Sequence, residues 1–312
     1  VSFSAFEHSL IDFFKKEELQ KDYCIACSGG LDSVTLFFAL KKISPIFKYK
    51  LKLLYVHHGS SPEKTGQSEY RDKALSFVEK LAQDHSVEFV SSKSEVFLES
   101  EEDCRNFRLK ALSYQKNVLT AHHKDDFLET LIIRMIRGSG PQGLSEPFKE
   151  KSLKPFLGLF RRDQIKEYAK TNGLNWTEDP SNKSLDPLRN WIRNEWLQAL
   201  DHKAGKDGFA KSLMLISEAM SELKSVEVEK SIIFESETKG FIHLENWLVF
   251  DRFQKQSTIA HILLKVRKTG YTYGQIEEVV KQLDQIKKET TFRSGKLTWL
   301  KSRSKVLFDL DL

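Results

Sequence analysis

The sequence predicts an α/β protein, a parallel-sheet domain followed by a smaller, mainly helical one. Three observations predict it. An apolar run, Tyr23-Cys24-Ile25-Ala26-Cys27, leads through Ser28-Gly29-Gly30-Leu31-Asp32-Ser33 into residues 34–42, which hold apolar side chains on most sides and no Gly or Pro. That order reads as buried strand, tight turn and helix. Further short apolar runs alternate with helical patterns, as parallel strands joined by crossover helices require. Past the small and charged residues at 201–208 the pattern turns mostly helical, which divides the chain into domains 1–205 and 206–312.

Composition narrows the classes. With 312 residues, 40% hydrophobic and 30% charged, the chain can bury two cores and is not a disordered protein. No apolar run approaches the length of a membrane span, and no leader pattern stands at the start, so the expected compartment is the cytoplasm. Three cysteines exclude a disulfide framework. Cys24 and Cys27 form a C-x-x-C, but both fall in the first strand, which favours a buried-core role over metal or redox use. A net charge of +5 is compatible with a nucleic-acid partner without establishing one.

In order along the chain, Phe3, Phe6, Leu10, Phe13 and Phe14 recur at helical spacing within residues 1–21. Residues 51–56 read as the second strand and end at His57-His58-Gly59. The carboxyl ends of strands face the ligand crevice in open α/β sheets. These histidines therefore stand where a nucleotide binds, or are satisfied histidines at a loop edge. A loop at 60–67 precedes a helix to about Leu81, and residues 87–90 form a third strand. Residues 101–115 are helical and carry Arg105 and Arg108, which the bland reading leaves solvated. The fourth strand, 117–121, runs into His122-His123-Lys124-Asp125-Asp126-Phe127-Leu128-Glu129-Thr130. On the helix that follows, Asp125 and Asp126 share a face with Glu129, either as part of a site or with Asp126 and Glu129 as a capping pair. In a sheet of order 3-2-1-4-5 this cluster and the glycine loop open on one crevice. Gly138 closes that helix and 141–154 is loop-rich. Pro155-Phe156-Leu157 is expected to resume the sheet, before helices at 161–172 and 186–200. Helical patterns follow at 209–228, 257–267 and 273–287, with strand-like runs near Phe241 and Trp299.

The glycine loop carries the clearest chemistry. Backbone N–H groups of such a turn converge on one concavity, and the helix N-terminus adds partial positive charge, which suits a phosphate. Ser28 and Ser33 offer hydroxyls, and Asp32 a carboxylate for a magnesium ion. The Lys of G-x-x-x-x-G-K-[ST] is missing, so this is not the common NTPase loop. It resembles instead the S-G-G-x-D-S loop of the ATP pyrophosphatases, enzymes that cleave ATP to AMP and pyrophosphate.

Several motifs then stand in one order: the loop, Val56-His57-His58-Gly59, Arg105-Asn106-Phe107-Arg108, the His122–Thr130 stretch, Arg137-Gly138-Ser139-Gly140, Glu178-Asp179-Pro180-Ser181-Asn182 and Arg189-Asn190-Trp191-Ile192-Arg193. Over residues 22–200 the set closely resembles the bacterial tRNA(Ile)-lysidine synthetases. The resemblance implies an adenine nucleotide hydrolase-like catalytic domain and a tRNA-binding role for the smaller domain. It implies ATP, Mg2+, free L-lysine and tRNA(Ile) with a CAU anticodon as the reaction's components, and no obligate protein partner. Lysine is then joined to C2 of the anticodon wobble cytidine through an adenylated intermediate. It also implies roles: Ser28, Gly29, Gly30, Leu31, Asp32, Ser33 and His58 for ATP; Asp32 for Mg2+; Asp32 and Arg105 in catalysis; Asp126, Glu129 and His122 for lysine; Arg189 and Arg193 for tRNA. Ser60-Ser61 departs from the family's usual Leu-Arg, so no arginine role is carried to that loop, and Cys104 replaces a small residue. The alternative is an ATP-dependent tRNA sulfur transferase, which needs reactive cysteines near the crevice.

Overall fold

Strand β1 (Asp22–Ala26) forms because a mostly buried run of Tyr23, Cys24 and Ile25 has partners on both sides. Around it, in a computed structural model, the described residues are 2–61, 66–139, 141–145, 152–178, 187–223, 231–267, 272–285, 289–294 and 296–310. They divide into two units, Val1–Glu129 with Lys149–Lys203, and Thr130–Phe148 with Ala204–Leu312. Residues 130–148, read in the sequence as part of the catalytic domain, thus fall in the second unit.

The first unit runs α1 (Ala5–Lys16), β1, α2 (Leu31–Phe47), β2 (Lys50–His57), α3 (Gly66–Asp84), β3 (Glu88–Lys93), α4 (Glu101–Ser113), β4 (Val118–Leu119) and the start of α5 (Lys124–Ile136). After α6 (Pro141–Ser145), which belongs to the second unit, it resumes with α7 (Arg162–Thr171), α8 (Pro187–Trp191), a π-helical turn (Ile192–Trp196) and α9 (Leu197–Ala204). The strands pair in parallel in the order β3-β2-β1-β4. A helix between successive strands makes that direction the natural one.

The expected fifth strand does not form. Leu153 makes a single parallel bridge with Leu119, and the chain then turns at 155–159. Pro155 has no N–H to give to a ladder, and Phe156 is driven inward to full burial instead. There it packs edge-on against Phe6 and Phe160, while Phe6 stacks on Phe160 and Tyr168 at 3.8 and 4.3 Å. Beneath the same cluster Glu7 is fully buried. It takes Lys42 Nζ at 2.7 Å and the Tyr168 hydroxyl at 2.7 Å, tying α1 to α2 and α7.

The second unit contains α6, α10 (Lys206–Leu223), β5 (Ile232–Phe234), β6 (Lys239–His243), α11 (Leu244–Val249), α12 (Arg252–Arg267), α13 (Tyr273–Gln285), β7 (Thr290–Ser294), β8 (Leu297–Lys301) and β9 (Lys305–Asp309). Its strands form an antiparallel sheet of order β5-β6-β9-β8-β7, larger than the two strand-like runs imply. Trp247, Trp299 and Phe308 are almost wholly buried against Ile259, Ile262, Leu263, Val279 and Leu283. Among the described residues no helix is long and apolar enough to cross a membrane.

Candidate active site

The loop after β1 takes its shape from Gly29. Its φ of 81° lies in the left-handed region, and a Cβ there would come within 2.9 Å of Thr177 Oγ1. Thr177 N donates to Gly29 O at 2.8 Å, so the loop leans on the 174–178 segment. Gly30 is extended and caps α2 without a side chain. Ser33 Oγ ties the turn together: it accepts from Ser28 N at 3.2 Å, donates to Gly30 O at 3.1 Å and lies 3.3 Å from Ser28 Oγ. The first N–H groups of α2 have no partner within the helix, and the turn that precedes them is held by these hydrogen bonds, an arrangement that suits an anion.

Asp32 stands in the first turn of α2. Its Oδ1 is buried without a hydrogen-bond partner, and its Oδ2 lies 3.9 Å from His123 Nε2. Burial pushes its carboxyl up, an effect only partly offset by the charge of His123. An unsatisfied buried carboxylate oxygen is costly for a fold, and on a residue that lines a cavity it fits a divalent cation.

At the end of β2 the two histidines part. His57 is fully buried, with Nε2 3.0 Å from Asp72 Oδ1 and Nδ1 accepting from Gly59 N at 3.1 Å. Burial lowers its pKa, against the pull of Asp72. That is the satisfied loop-edge histidine. His58 lines the cavity instead, its ring 6.2 Å from Phe107.

At the end of β4, His123 rather than His122 is the buried one, at 1% exposure. His123 and Asp126 cap α5 reciprocally: His123 N donates to Asp126 Oδ2 at 3.0 Å, and Asp126 N donates to His123 Nδ1 at 3.3 Å. His123 Nε2 lies 3.5 Å from Asp126 Oδ2 and 3.9 Å from Asp32 Oδ2, between the two carboxylates. Burial would raise Asp126, but His123, His122 and Arg193 outweigh it and hold its carboxyl below the usual range. His122 Nδ1 lies 3.0 Å from Thr120 Oγ1.

Glu129 is not half of a capping pair. It is fully buried, and Arg193 clamps both of its oxygens, Nε at 2.6 Å and Nη2 at 2.7 Å, with Arg189 Nε 3.3 Å away. Arg193 comes from the π-helical turn, a local widening common at functional sites. Its Nη2 also lies 3.7 Å from Asp126 Oδ1. Burial alone would lower its pKa, yet Glu129, Asp126 and Asp32 raise it.

One cavity of about 270 Å³ gathers these parts, just below the roughly 300–1,000 Å³ usual for ligand sites. It reaches Ser28, Gly30, Asp32 and Ser33 from the loop, His58 from β2, Arg108 from α4, and His122 and Asp126 from the end of β4. Leu31 is buried behind it. Arg105, expected to face the chemistry, is exposed and does not line the cavity; Arg108, one helical turn on, does. Glu129, Arg189 and Arg193 stand behind Asp126 as an ion-pair group and are not among the lining residues. Of the Glu178–Asn182 motif, residues 179–182 lie outside the described residues.

The PP-loop domain family model matches residues 3–200. The tRNA(Ile)-lysidine synthase of Bdellovibrio bacteriovorus is 33% identical over 310 residues, covering 94% of this chain and 93% of that protein. The synthase of Thermotoga maritima is 34% identical over 185 residues, covering 54% of this chain and 43% of that protein, less than half of the relative's length. Among solved structures, the U34-tRNA thiolase NcsA of Methanococcus maripaludis, with its 4Fe-4S cluster, superposes at a TM-score of 0.57 and 17% identity. That superposition covers 73% of this chain and 82% of the thiolase, and shows a shared fold.

Proposed function

The chain belongs to the PP-loop family and, within it, to the tRNA(Ile)-lysidine synthases, ATP-using ligases; from that membership we propose that it joins free L-lysine to C2 of the wobble cytidine of tRNA(Ile) with a CAU anticodon. The observation that carries the reading is one cavity lined both by the phosphate-type loop and by His122, Asp126 and Arg108. Two half-reactions can share it.

In the first, the cytidine C2 oxygen attacks the α-phosphorus of ATP. A bond forms between the C2 oxygen and the α-phosphorus, the bond from that phosphorus to the α,β-bridging oxygen breaks, and pyrophosphate leaves. The loop N–H groups and the Ser28 and Ser33 hydroxyls bind the pyrophosphate portion. Asp32 is the residue to hold Mg2+, which when bound offsets the charge of the phosphates. Arg108 supplies positive charge at the cavity, whereas the resemblance implied Arg105 for catalysis.

In the second, the lysine side-chain nitrogen attacks C2, the C2–O bond breaks and AMP leaves. An amine of pKa about 10.4 must first lose a proton, which a neighbouring carboxylate or a water molecule takes. Asp126, held ionised by its histidine and arginine neighbours, is the acceptor best suited to draw the ammonium in. His122 lines the same wall. Glu129, with both oxygens held by Arg193, instead fixes the charge around Asp126.

Sulfur transfer has less support. The reactive form of a cysteine is its thiolate, but burial pushes Cys24 up to about 11 and also raises Cys27 and Cys104. The deciding experiment is incorporation of radiolabelled lysine into tRNA(Ile)(CAU) with ATP and Mg2+, with tRNA(Met) as control. Label in tRNA(Ile) alone is expected; none in either would overturn the proposal.

A further inference from the structure

Arg71, a residue of α3 with no counterpart in any motif above, is 7% exposed. Its guanidinium spends its donors on backbone. Nη1 reaches His58 O at 2.9 Å and Gly59 O at 3.3 Å, while Nη2 reaches Leu98 O at 2.9 Å and lies 3.9 Å from Cys104 Sγ. The cation also covers the Phe97 ring at 4.5 Å. It therefore joins three pieces: the loop after β2, the segment leading into α4, and the first turn of α4 itself.

Those pieces pack with little slack. A Cβ on Gly59 would fall 2.0 Å from Val96 O, so the loop lies directly on the 96–97 backbone, and Leu98 N donates to His58 O at 2.9 Å. Two further residues of α3 hold the loop: Asp72 on His57 and Ser60, and Ser68 on Ser61 N. Two polar side chains of the cavity wall depend on these pieces: His58 from the loop after β2, and Arg108, one turn further along α4 than Cys104.

We infer that Arg71 is a positioning residue for the nucleotide side of the cavity, acting through His58 and Arg108 by fixing the β2 loop against the start of α4. The inference rests on the proposed use of ATP in this cavity. A guanidinium is suited to the task, because its planar fork addresses several carbonyls at once in a fixed geometry, whereas an ammonium is a point charge on a flexible stem.

The test measures the equilibrium Kd for ATP, lysine incorporation and thermal stability for the wild type, Arg71→Gln, Arg71→Lys, His58→Ala and the His58→Ala/Arg71→Gln pair. Arg71→Gln should weaken ATP binding about tenfold, and Arg71→Lys by less, since one carbonyl bond can be recovered. In the His58→Ala background Arg71→Gln should add clearly less than it does alone, as residues acting through one another are not additive. An unchanged ATP Kd in a variant that only melts earlier, or independent effects that multiply in the pair, would overturn the role. If Arg71→Gln does not fold, Arg71→Lys carries the same comparison. Wild-type protein that binds ATP but incorporates no lysine would refute the proposed reaction, while the Kd series still decides on Arg71.

Discussion

Two carboxylates three residues apart on α5 have unlike fates, and the difference lies in their partners. Asp126 keeps an edge on the cavity, while Glu129 is fully enclosed by Arg193 and Arg189. Substituting them separately should therefore give separate phenotypes. Asp126→Asn keeps an acceptor for His123 N and so keeps the cap, but removes the charge that an ammonium would meet. The lysine KM should rise roughly ten- to hundredfold, the equivalent of about 1.5–3 kcal/mol for a charged hydrogen bond, while adenylated tRNA accumulates. An unchanged lysine KM would rule Asp126 out as a lysine contact. Glu129→Gln, by contrast, removes the buried charge that Arg193 clamps and that Arg189 approaches at 3.3 Å. Breaking a buried pair costs on the order of 3–5 kcal/mol, and because Arg193 is 26% exposed the lower end applies. A melting temperature lower by roughly 6–12 °C is expected. Should Glu129→Gln melt normally and merely raise the lysine KM, Glu129 contacts the substrate after all.

Among the elements, the glycine turn and helix α1 respond to different perturbations. Gly29→Ala must adopt a positive φ and press on Thr177, so ATP-dependent turnover should fall at least tenfold even where the protein still folds. Normal turnover would show that the loop relaxes freely. Glu7 offers a pH test. Burial would raise its pKa, but Lys42, Tyr168 and Ser4 together hold it below the ordinary 4.5. A depressed carboxylate stabilises the fold above its unfolded pKa and loses that contribution as the pH falls through its folded value. The melting-temperature gap between wild type and Glu7→Gln should thus be widest near pH 7 and close below pH 4.5; a gap independent of pH would mean that the Glu7 charge contributes nothing. How far each element was legible follows the range of its causes. The β1 turn and α2 could be read directly, because two glycines and a run of apolar residues act locally. Strand β4 was legible in existence but pairs over Val118–Leu119 only, and the strand expected at Pro155 gave way to a turn around a buried Phe156. The site shows the same limit. That Asp32 lines the cavity followed from the glycine loop, and that His58 and Asp126 do so from strand ends, whereas Arg193 meets Glu129 across 64 residues of sequence and no motif marks Arg71, which the fold encloses.

At the scale of the whole molecule, the question is where the net charge of +5 meets RNA. Truncation is a poor probe, because the second unit also includes α6: Ser217 Oγ on α10 donates to Leu144 O at 2.7 Å, and a chain cut near residue 208 would lose that support. Point substitutions in the second unit avoid this. The turn between β8 and β9 presents Arg303, 94% exposed, and Lys305, whose ammonium lies 3.6 Å from the Phe241 ring centre. Ser302 holds the turn through bonds with Ser304 N and Lys305 N, so its shape does not depend on either cation. If the second unit binds tRNA through phosphates at this turn, each lost contact lowers the slope of log affinity against log salt by about one. Arg303→Ala with Lys305→Ala should then weaken tRNA binding at low salt, flatten the slope by as much as about two, and leave both the ATP Kd and turnover at saturating tRNA unchanged. A slope identical to wild type would move the phosphate contacts off this turn. A parallel loss of ATP affinity would mean instead that the substitutions act through folding rather than through RNA.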